Sequence, residues 1–111
     1  MTGNEYQKLA MRTSNSEVSE IAHLVNGALG LTGEAGEVAD IVKKHAMQGH
    51  ALNTEHIAKE CGDCLWYIAE TATAIGYDLD TIMEMNIEKL KKRYPDGFSA
   101  ERSQNRAEGD V

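Results

Sequence analysis

Four carboxylates form two short motifs in the middle of the chain. Glu34 and Glu37 are separated by two residues, and Glu60 and Asp63 repeat that spacing further along. Residues three apart are neighbours on a helix surface, so each motif presents two carboxylates side by side. Carboxylate oxygens are ligands that suit Mg²⁺ or Mn²⁺ and not zinc. The two acidic motifs therefore predict the two halves of a divalent-metal site.

A plain exposed helix face is the competing interpretation of each acidic motif, because pairs of acids at this spacing are common on solvated helices. Two features favour the metal. Glu34 and Glu60 flank the apolar stripes of their predicted helices, and like charges three residues apart repel each other unless a cation compensates them. A di-iron bundle is disfavoured, because it needs two Glu-x-x-His motifs and only Glu20-x-x-His23 is present.

Two other patterns suggest chemistry that the sequence does not support. The glycines at every third position lack the Lys-Ser/Thr that completes a phosphate-binding P-loop, so they predict a kink and the close approach of another backbone; they are Gly27, Gly30, Gly33 and Gly36. Cys61 and Cys64 form a C-x-x-C without a second pair, and both lie on an apolar stripe. We expect them to pack in the core.

Helical periodicity organises the chain around these motifs. A short helix is predicted over Asn4–Arg12, followed by a break at residues 14–16. Apolar residues then recur at spacings of three and four from Glu17 to about Lys44, as one long helix or as two joined near residues 30–33. The acidic pair Glu34 and Glu37 lies on this segment.

Two further helices are bounded by capping residues. One begins at Asn53 or Thr54 and stops at Gly76, and the last begins at Asp78 or Asp80 and stops before Pro95. The fold class is therefore all-α, an antiparallel bundle of four to five helices. Its domain spans residues 1–98, and residues 99–111 are predicted to be a polar tail, either disordered or laid as an arm on another subunit.

The length and net charge of the chain limit the classes of function that it can have. A domain of 111 residues buries a limited share of its surface, which self-association would increase. The net charge of −7 argues against coating a nucleic acid polymer but is compatible with a metal-bridged small ligand. The sequence shows neither a membrane-spanning run nor a basic-then-apolar signal pattern, so we expect a cytoplasmic protein without a membrane partner.

Polar and aromatic side chains beside these motifs are candidates for substrate contact. Asn86, Lys89 and Arg93 share one side of the last helix and could hold phosphate oxygens, or could equally form a basic last turn that complements the helix dipole. Trp66 projects away from the apolar stripe of its own helix. With Tyr67, it could stack on a base or fill a subunit interface.

Three segments together resemble one known family. They are GLTGEAGEVAD (residues 30–40), KECGDCLWY (residues 59–67) and NIEKLKKRYPDGF (residues 86–98). The chain is similar over residues 24–98 to the MazG-like nucleoside triphosphate pyrophosphohydrolases, all-α proteins marked by E-x-x-E and E-x-x-D on consecutive helices. The resemblance implies a homodimer or homotetramer with Mg²⁺ held by Glu34, Glu37, Glu60 and Asp63. It also implies phosphate contacts by the last helix, at Asn86, Lys89, Arg93 and Tyr94.

The resemblance further implies hydrolysis of a (deoxy)nucleoside triphosphate to its monophosphate and pyrophosphate, as in cleansing of the nucleotide pool. We assign Glu37 as the group that accepts the proton of the attacking water. Two alternatives stay open: a metal-dependent phosphohydrolase that cuts another phosphate bond, and a non-catalytic helical regulator that binds a nucleotide or a protein.

Overall fold

A long helical hairpin forms the centre of the structure, a computed structural model that describes residues 1–111. Its arms are α2 (Glu20–Gln48) and α3 (Thr54–Ala74), which form the main helix–helix contact of the chain. The other helices are α1 (Gly3–Ala10), α4 (Leu79–Arg93) and α5 (Ala100–Gln104), with a 3₁₀ turn at Met11–Thr13. The prediction of an all-α fold is confirmed.

Side-chain caps set most of the helix boundaries. The side chains of Asn53 and Asp78 accept hydrogen bonds from backbone N–H groups at the starts of α3 and α4, as predicted. The predicted limits of α2 are wrong by three or four residues. Ser19 caps the helix, so it begins at Glu20, and it continues past Lys44 until Gly49 adopts the left-handed conformation at φ 71°. α2 is one continuous helix, so of the two predicted alternatives, one long helix or two helices joined near residues 30–33, the first is correct.

Glycines on α2 allow it to approach α3 closely. A Cβ atom on Gly30 would overlap the ring of Tyr67, and one on Gly27 would overlap the hydroxyl of Thr71. A Cβ on Gly33 or Gly36 would meet nothing within 4 Å. The predicted close approach therefore involves the first two glycines of the series, and the other two face open space in this chain.

Helix α1 closes one end of the hairpin. The Gln7 amide donates to Thr73 Oγ1 and to the Tyr77 carbonyl, and its oxygen accepts the backbone N–H of Leu79. A small core lies below these contacts, and its buried apolar residues are Ala10, Ala69, Ala72 and Leu79. One side chain thus ties α1 to the end of α3 and the start of α4.

Trp66 packs against this core, although it projects away from the apolar stripe of its own helix. Its indole N–H donates to the Ala10 carbonyl at 3.0 Å and to Thr13 Oγ1 at 2.8 Å. The reason is tertiary: α1 covers a side of α3 that the apolar stripe of α3 alone does not mark. A large part of the Trp66 surface is therefore used within the fold.

The expected core packing of both cysteines is wrong for this chain. Cys61 is exposed and Cys64 is half-buried. Leu65, on the same stripe of α3, is 50% exposed. This part of the stripe extends beyond the surface that α2 and α1 cover.

Much apolar surface of the long helices has no cover from the chain itself. Ile21, Val25 and Leu29, each four residues apart on α2, are 66%, 51% and 69% exposed. On α4, every residue from Met83 to Glu88 is exposed. The radius of gyration is 17.0 Å, whereas a compact domain of this length has about 13 Å. None of the helices combines the length and the apolarity needed to cross a membrane.

Residues 99–111, the predicted polar tail, contain local structure. Ser99 caps the short helix α5, and Asp110 further along bonds to Arg93 at the end of α4. The segment therefore folds back on α4 of its own chain. Its placement as an arm on another subunit stays a prediction.

Candidate metal centre

Three of the four predicted carboxylates come together between α2 and α3. One oxygen from each of Glu34, Glu60 and Asp63 lies within 4.8 Å of the others. Glu34 comes from α2 and the other two come from α3, one turn apart. Gly30 lies one turn before Glu34, so the close approach of the helices at Tyr67 is adjacent to this acidic cluster. The hairpin thus unites the acidic motifs that the sequence contains as separate pairs.

The charges of the cluster are not balanced by the protein. The pKa of Glu34 is raised, first by a hydrogen bond to Glu60, then by partial burial and by the charges of Glu60, Asp63 and Glu37. Such a bond requires a proton between two carboxyl groups. A divalent cation would replace that proton, and an all-oxygen donor set is the kind that Mg²⁺ and Mn²⁺ prefer. The residues present therefore fit the predicted metal.

His56 contacts the acidic cluster from α3. Its Nε2 atom lies 2.9 Å from Glu60 Oε1. The imidazole is 51% exposed, whereas the Glu60 side chain is 15% exposed. The sequence places His56 one helical turn before Glu60, where it could touch substrate, but it favours His56 as polar surface and not as a ligand. The geometry fits a histidine that orients the carboxylate of Glu60.

Glu37 lies outside this cluster of three. It follows Glu34 by one turn on α2 and is exposed. Its charge contributes to the raised pKa of Glu34 and, weakly, to that of Lys44. Glu37 is therefore near the cluster without being one of the three converging carboxylates, and its assignment as a fourth ligand and proton acceptor stays a prediction.

The predicted phosphate-binding residues of α4 lie on a different part of the fold. The packing of α4 is mainly against α1, whereas the carboxylates lie between α2 and α3. Asn86 is exposed and Lys89 is half-buried. Arg93 donates two hydrogen bonds to the carboxylate of Asp110, at 2.8 and 2.7 Å. For Arg93 to contact a phosphate, its hydrogen bonds to Asp110 must therefore break.

The aromatic residues predicted to contact the substrate make contacts within the chain itself. The ring of Tyr94 is half-buried and lies 5.5 Å from the ring of Phe98, across the turn that contains Pro95. Trp66 lies 5.1 Å from Tyr67 with the two rings nearly perpendicular, and its N–H is already bonded. Stacking of either ring on a base stays a prediction, and for Trp66 it would use the ring alone.

A buried carboxylate that sequence analysis missed links α2 to α3. Glu70 is 3% exposed, and it accepts hydrogen bonds from the Asn26 amide at 2.7 Å and from the Ser14 hydroxyl. His23 Nδ1 lies 3.1 Å from the same carboxylate. The local signal was an acid placed among the small apolar residues of α3. Glu70 holds the hairpin and the preceding segment together at the end away from the acidic cluster.

Comparisons with known proteins find sequence similarity over most of the chain. A family model described as the MazG nucleotide pyrophosphohydrolase domain matches residues 26–98. The chain is similar to the Gene 37 protein of Mycobacterium phage L5, with 34% identity over 82 residues that cover 70% of this chain and 72% of that protein. No solved structure matches it. The family match contains both acidic motifs and all of α4, and it ends before α5.

Proposed function

Because the chain belongs to the MazG nucleotide pyrophosphohydrolase family, we propose that it converts a (deoxy)nucleoside triphosphate to the monophosphate and pyrophosphate with the help of Mg²⁺. The observation that carries this proposal is the convergence of Glu34, Glu60 and Asp63 between two helices of a family whose members hydrolyse nucleotides. Removal of unwanted nucleotides from the cytoplasmic pool is the physiological role that we propose with it.

Glu34, Glu60 and Asp63 are the residues that would hold the metal. When bound, Mg²⁺ supplies positive charge toward the phosphates and lowers the pKa of water that it coordinates. His56 keeps the Glu60 carboxylate oriented toward the cluster. Glu37 is exposed and one turn away, so its carboxylate is free to accept a proton from water during attack on the phosphate chain.

The same proposal includes self-association as a homodimer or homotetramer. In a single chain, the exposed α4 segment from Met83 to Glu88 and the apolar stripe through Val25 on α2 lack cover. Pairing of two copies through these surfaces would bury them. It would also give Asn86 and Lys89 of one copy access to the carboxylates of another, which their own fold does not provide.

Product analysis tests the activity. The protein is incubated with each common and modified triphosphate and Mg²⁺, and the products are separated. Monophosphate with pyrophosphate is the expected result. Orthophosphate would indicate a phosphohydrolase that cuts another bond, and a lack of product with every triphosphate would favour a non-catalytic regulator.

Matched variants test the residues. Asp63→Asn and Glu37→Gln should each reduce turnover by at least about a hundredfold while the circular dichroism spectrum stays helical. Glu55→Gln is the control, because Glu55 is an exposed acid on α3 whose partner is Lys59. Turnover in Asp63→Asn equal to that of the control would overturn the metal assignment. Light scattering of the unmodified protein gives its oligomeric state, and a monomer at micromolar concentration would overturn the self-association.

A further inference from the structure

The part of α3 that carries Glu60 and Asp63 also carries both cysteines of the chain. Cys61 directly follows Glu60, and Cys64 directly follows Asp63, so the two patterns overlap with an offset of one residue. The core encloses neither thiol, because Cys61 is exposed and Cys64 is half-buried. A change in the backbone between the cysteines would therefore also change the relative position of two of the three converging carboxylates.

Helix geometry places the two thiols within reach of each other. Residues three apart on an α-helix have Cα atoms about 5 Å apart, inside the range of about 4.4–6.8 Å that a disulfide spans. The pKa of the Cys64 thiol is raised, first by desolvation, then by Cys61 and by the carboxylates of the acidic cluster. The sulfur of Cys64 therefore lies near both the other thiol and the cluster.

A disulfide between these cysteines would distort the turn that holds the carboxylates. The Cβ atoms of residues three apart on a helix are about 5–6 Å apart, and a disulfide requires about 3.8 Å. A tighter 3₁₀ turn, in which residues three apart eclipse each other, supplies the approach. A Cβ on Gly62, between the cysteines, would meet nothing within 4 Å, so no packed side chain opposes the change. The distortion would alter the spacing of Glu60 and Asp63, whose oxygens lie within 4.8 Å of each other and of Glu34.

We propose that Cys61 and Cys64 form an intrachain disulfide under oxidising conditions, and that this disulfide weakens metal binding at the acidic cluster. The effect on the metal rests on the proposed function, whereas formation of the disulfide does not. A zinc site at the cysteines is disfavoured, because the chain has no further cysteine and neither sulfur belongs to a group of three converging ligands.

The step is a two-electron oxidation, with a peroxide as the oxidant. The exposed Cys61 sulfur attacks one oxygen of hydrogen peroxide, the O–O bond breaks, and a sulfenic acid forms while the thiol proton leaves with the other oxygen as water. The Cys64 sulfur then attacks the Cys61 sulfur. The S–S bond forms, the S–O bond breaks, and the second thiol proton leaves with that oxygen as water. Two thiols are oxidised, and the peroxide is reduced to two waters.

Mass spectrometry of the metal-free protein tests the disulfide. After treatment with hydrogen peroxide in EDTA, we expect a single chain that has lost two hydrogen atoms and both free thiols. Dithiothreitol should restore both thiols. Persistence of both thiols, separate oxidation of each sulfur, or a disulfide that joins two chains would overturn the proposal.

Calorimetric titration with Mn²⁺ tests the effect on the metal. The oxidised protein should bind Mn²⁺ at least about tenfold more weakly than the reduced protein, the order of effect seen when metal ligands lose their orientation. Dithiothreitol, removed before titration, should restore the affinity. Cys61→Ser is the matched control: peroxide should not change its affinity, which separates the disulfide from oxidation of the five methionines. Equal affinities of the oxidised and reduced protein would overturn the coupling.

Thermodynamic linkage supplies a reciprocal measurement, because bound metal must oppose the disulfide by the same factor. In glutathione buffers of fixed redox ratio, saturating Mg²⁺ should lower the oxidised fraction of the protein, and Asp63→Asn should remove this effect. An oxidised fraction that is equal in Mg²⁺ and in EDTA would contradict the coupling.

None of these measurements needs turnover. Failure of the disulfide to form leaves the proposed hydrolysis untouched. A reduced protein that binds no metal would overturn the metal site and the coupling together, while the mass measurement still decides whether the disulfide forms.

Discussion

His56 Nε2 and Glu60 Oε1 lie 2.9 Å apart, one helical turn from each other on α3. Glu60 is also one of the three carboxylates that converge, and it shares a hydrogen bond with Glu34. The orientation of Glu60 is therefore set from two sides, by a histidine of its own helix and by an acid of the opposite helix. When a metal replaces the proton between Glu34 and Glu60, His56 still contacts Glu60 from the other side.

Removal of the His56 side chain should weaken metal binding. We expect His56→Ala to lower the affinity for Mn²⁺ by about tenfold, since residues that orient metal ligands have effects of that order. The measurement is calorimetric titration with Mn²⁺. His56→Gln keeps an N–H donor and should recover part of the loss, and His45→Ala, at an exposed histidine outside the cluster, should change nothing. Unaltered affinity in His56→Ala would contradict the positioning role.

The stability of the metal-free protein should depend on pH through Glu34. Its pKa in the folded state is raised, so its contribution to stability is present at low pH and is lost as pH rises through the raised pKa. Mg²⁺ relieves the repulsion that remains. The increase in Tm caused by Mg²⁺ should therefore be larger at pH 7.5 than at pH 5.

Thermal denaturation with EDTA or Mg²⁺ at several pH values measures this effect. Glu34→Gln removes the titrating group, so its metal-free Tm should fall less as the pH rises, and Mg²⁺ should raise its Tm less. An increase in Tm of the same size at both pH values would be the opposite result. Glu55→Gln, an acid outside the cluster, serves as the control.

Substitutions of two glycines on α2 should have opposite effects. Gly30→Ala places a Cβ against the Tyr67 ring, and overpacking of this kind costs about 1–3 kcal/mol, more than the roughly 1 kcal/mol that alanine gains in helix propensity. Gly33→Ala meets nothing within 4 Å in the chain, so it should be neutral or stabilising. Urea denaturation of both variants gives the comparison. A loss of stability in Gly33→Ala together with dissociation of an oligomer would place Gly33 in the contact between copies.

The ion pair at the end of the chain should hold the last segment in place. Arg93 lowers the pKa of Asp110, so the stabilisation is present at neutral pH and is lost as the pH falls through that lowered pKa. At neutral pH, Asp110→Asn should expose the bonds after Arg102 and Arg106 to trypsin faster than in the unmodified protein. Glu108→Gln, on the same segment, should not. Equal cleavage rates in all three proteins would show that the pair does not restrain the segment.

Local signals predicted the parts of this fold that depend on a few neighbouring residues. Asn53 and Asp78 begin helices because their side chains accept backbone N–H groups three residues on, a relationship that is visible in the sequence. The acidic motifs could be placed on consecutive helices for the same reason, since helical spacing defines which residues are neighbours. Glu34, Glu60 and Asp63 converge because the two consecutive helices that carry them pack against each other as a hairpin.

Contacts between distant segments could not be predicted in this way. The indole of Trp66 bonds to Ala10, and Glu70 bonds to Asn26, through packing of helices that no periodicity relates. The pair between Arg93 and Asp110 depends on a turn and a short helix between them, and the polar composition of that segment predicted no fixed structure. Polar residues in such a segment become ordered when the surface behind them has the complementary charge.

The small core has a calorimetric consequence. Three of its four buried apolar residues are alanines, beside Leu79, so unfolding of an isolated chain exposes less new apolar surface than unfolding of a compact domain of this length. A compact domain of this length unfolds with a heat-capacity increase of about 1.5 kcal/mol/K. The lone chain should fall well below that value and should lose stability only gradually as temperature changes. If the free energy of unfolding of the assembled protein depends steeply and with strong curvature on temperature, that behaviour arises from contacts between copies and not from the single chain.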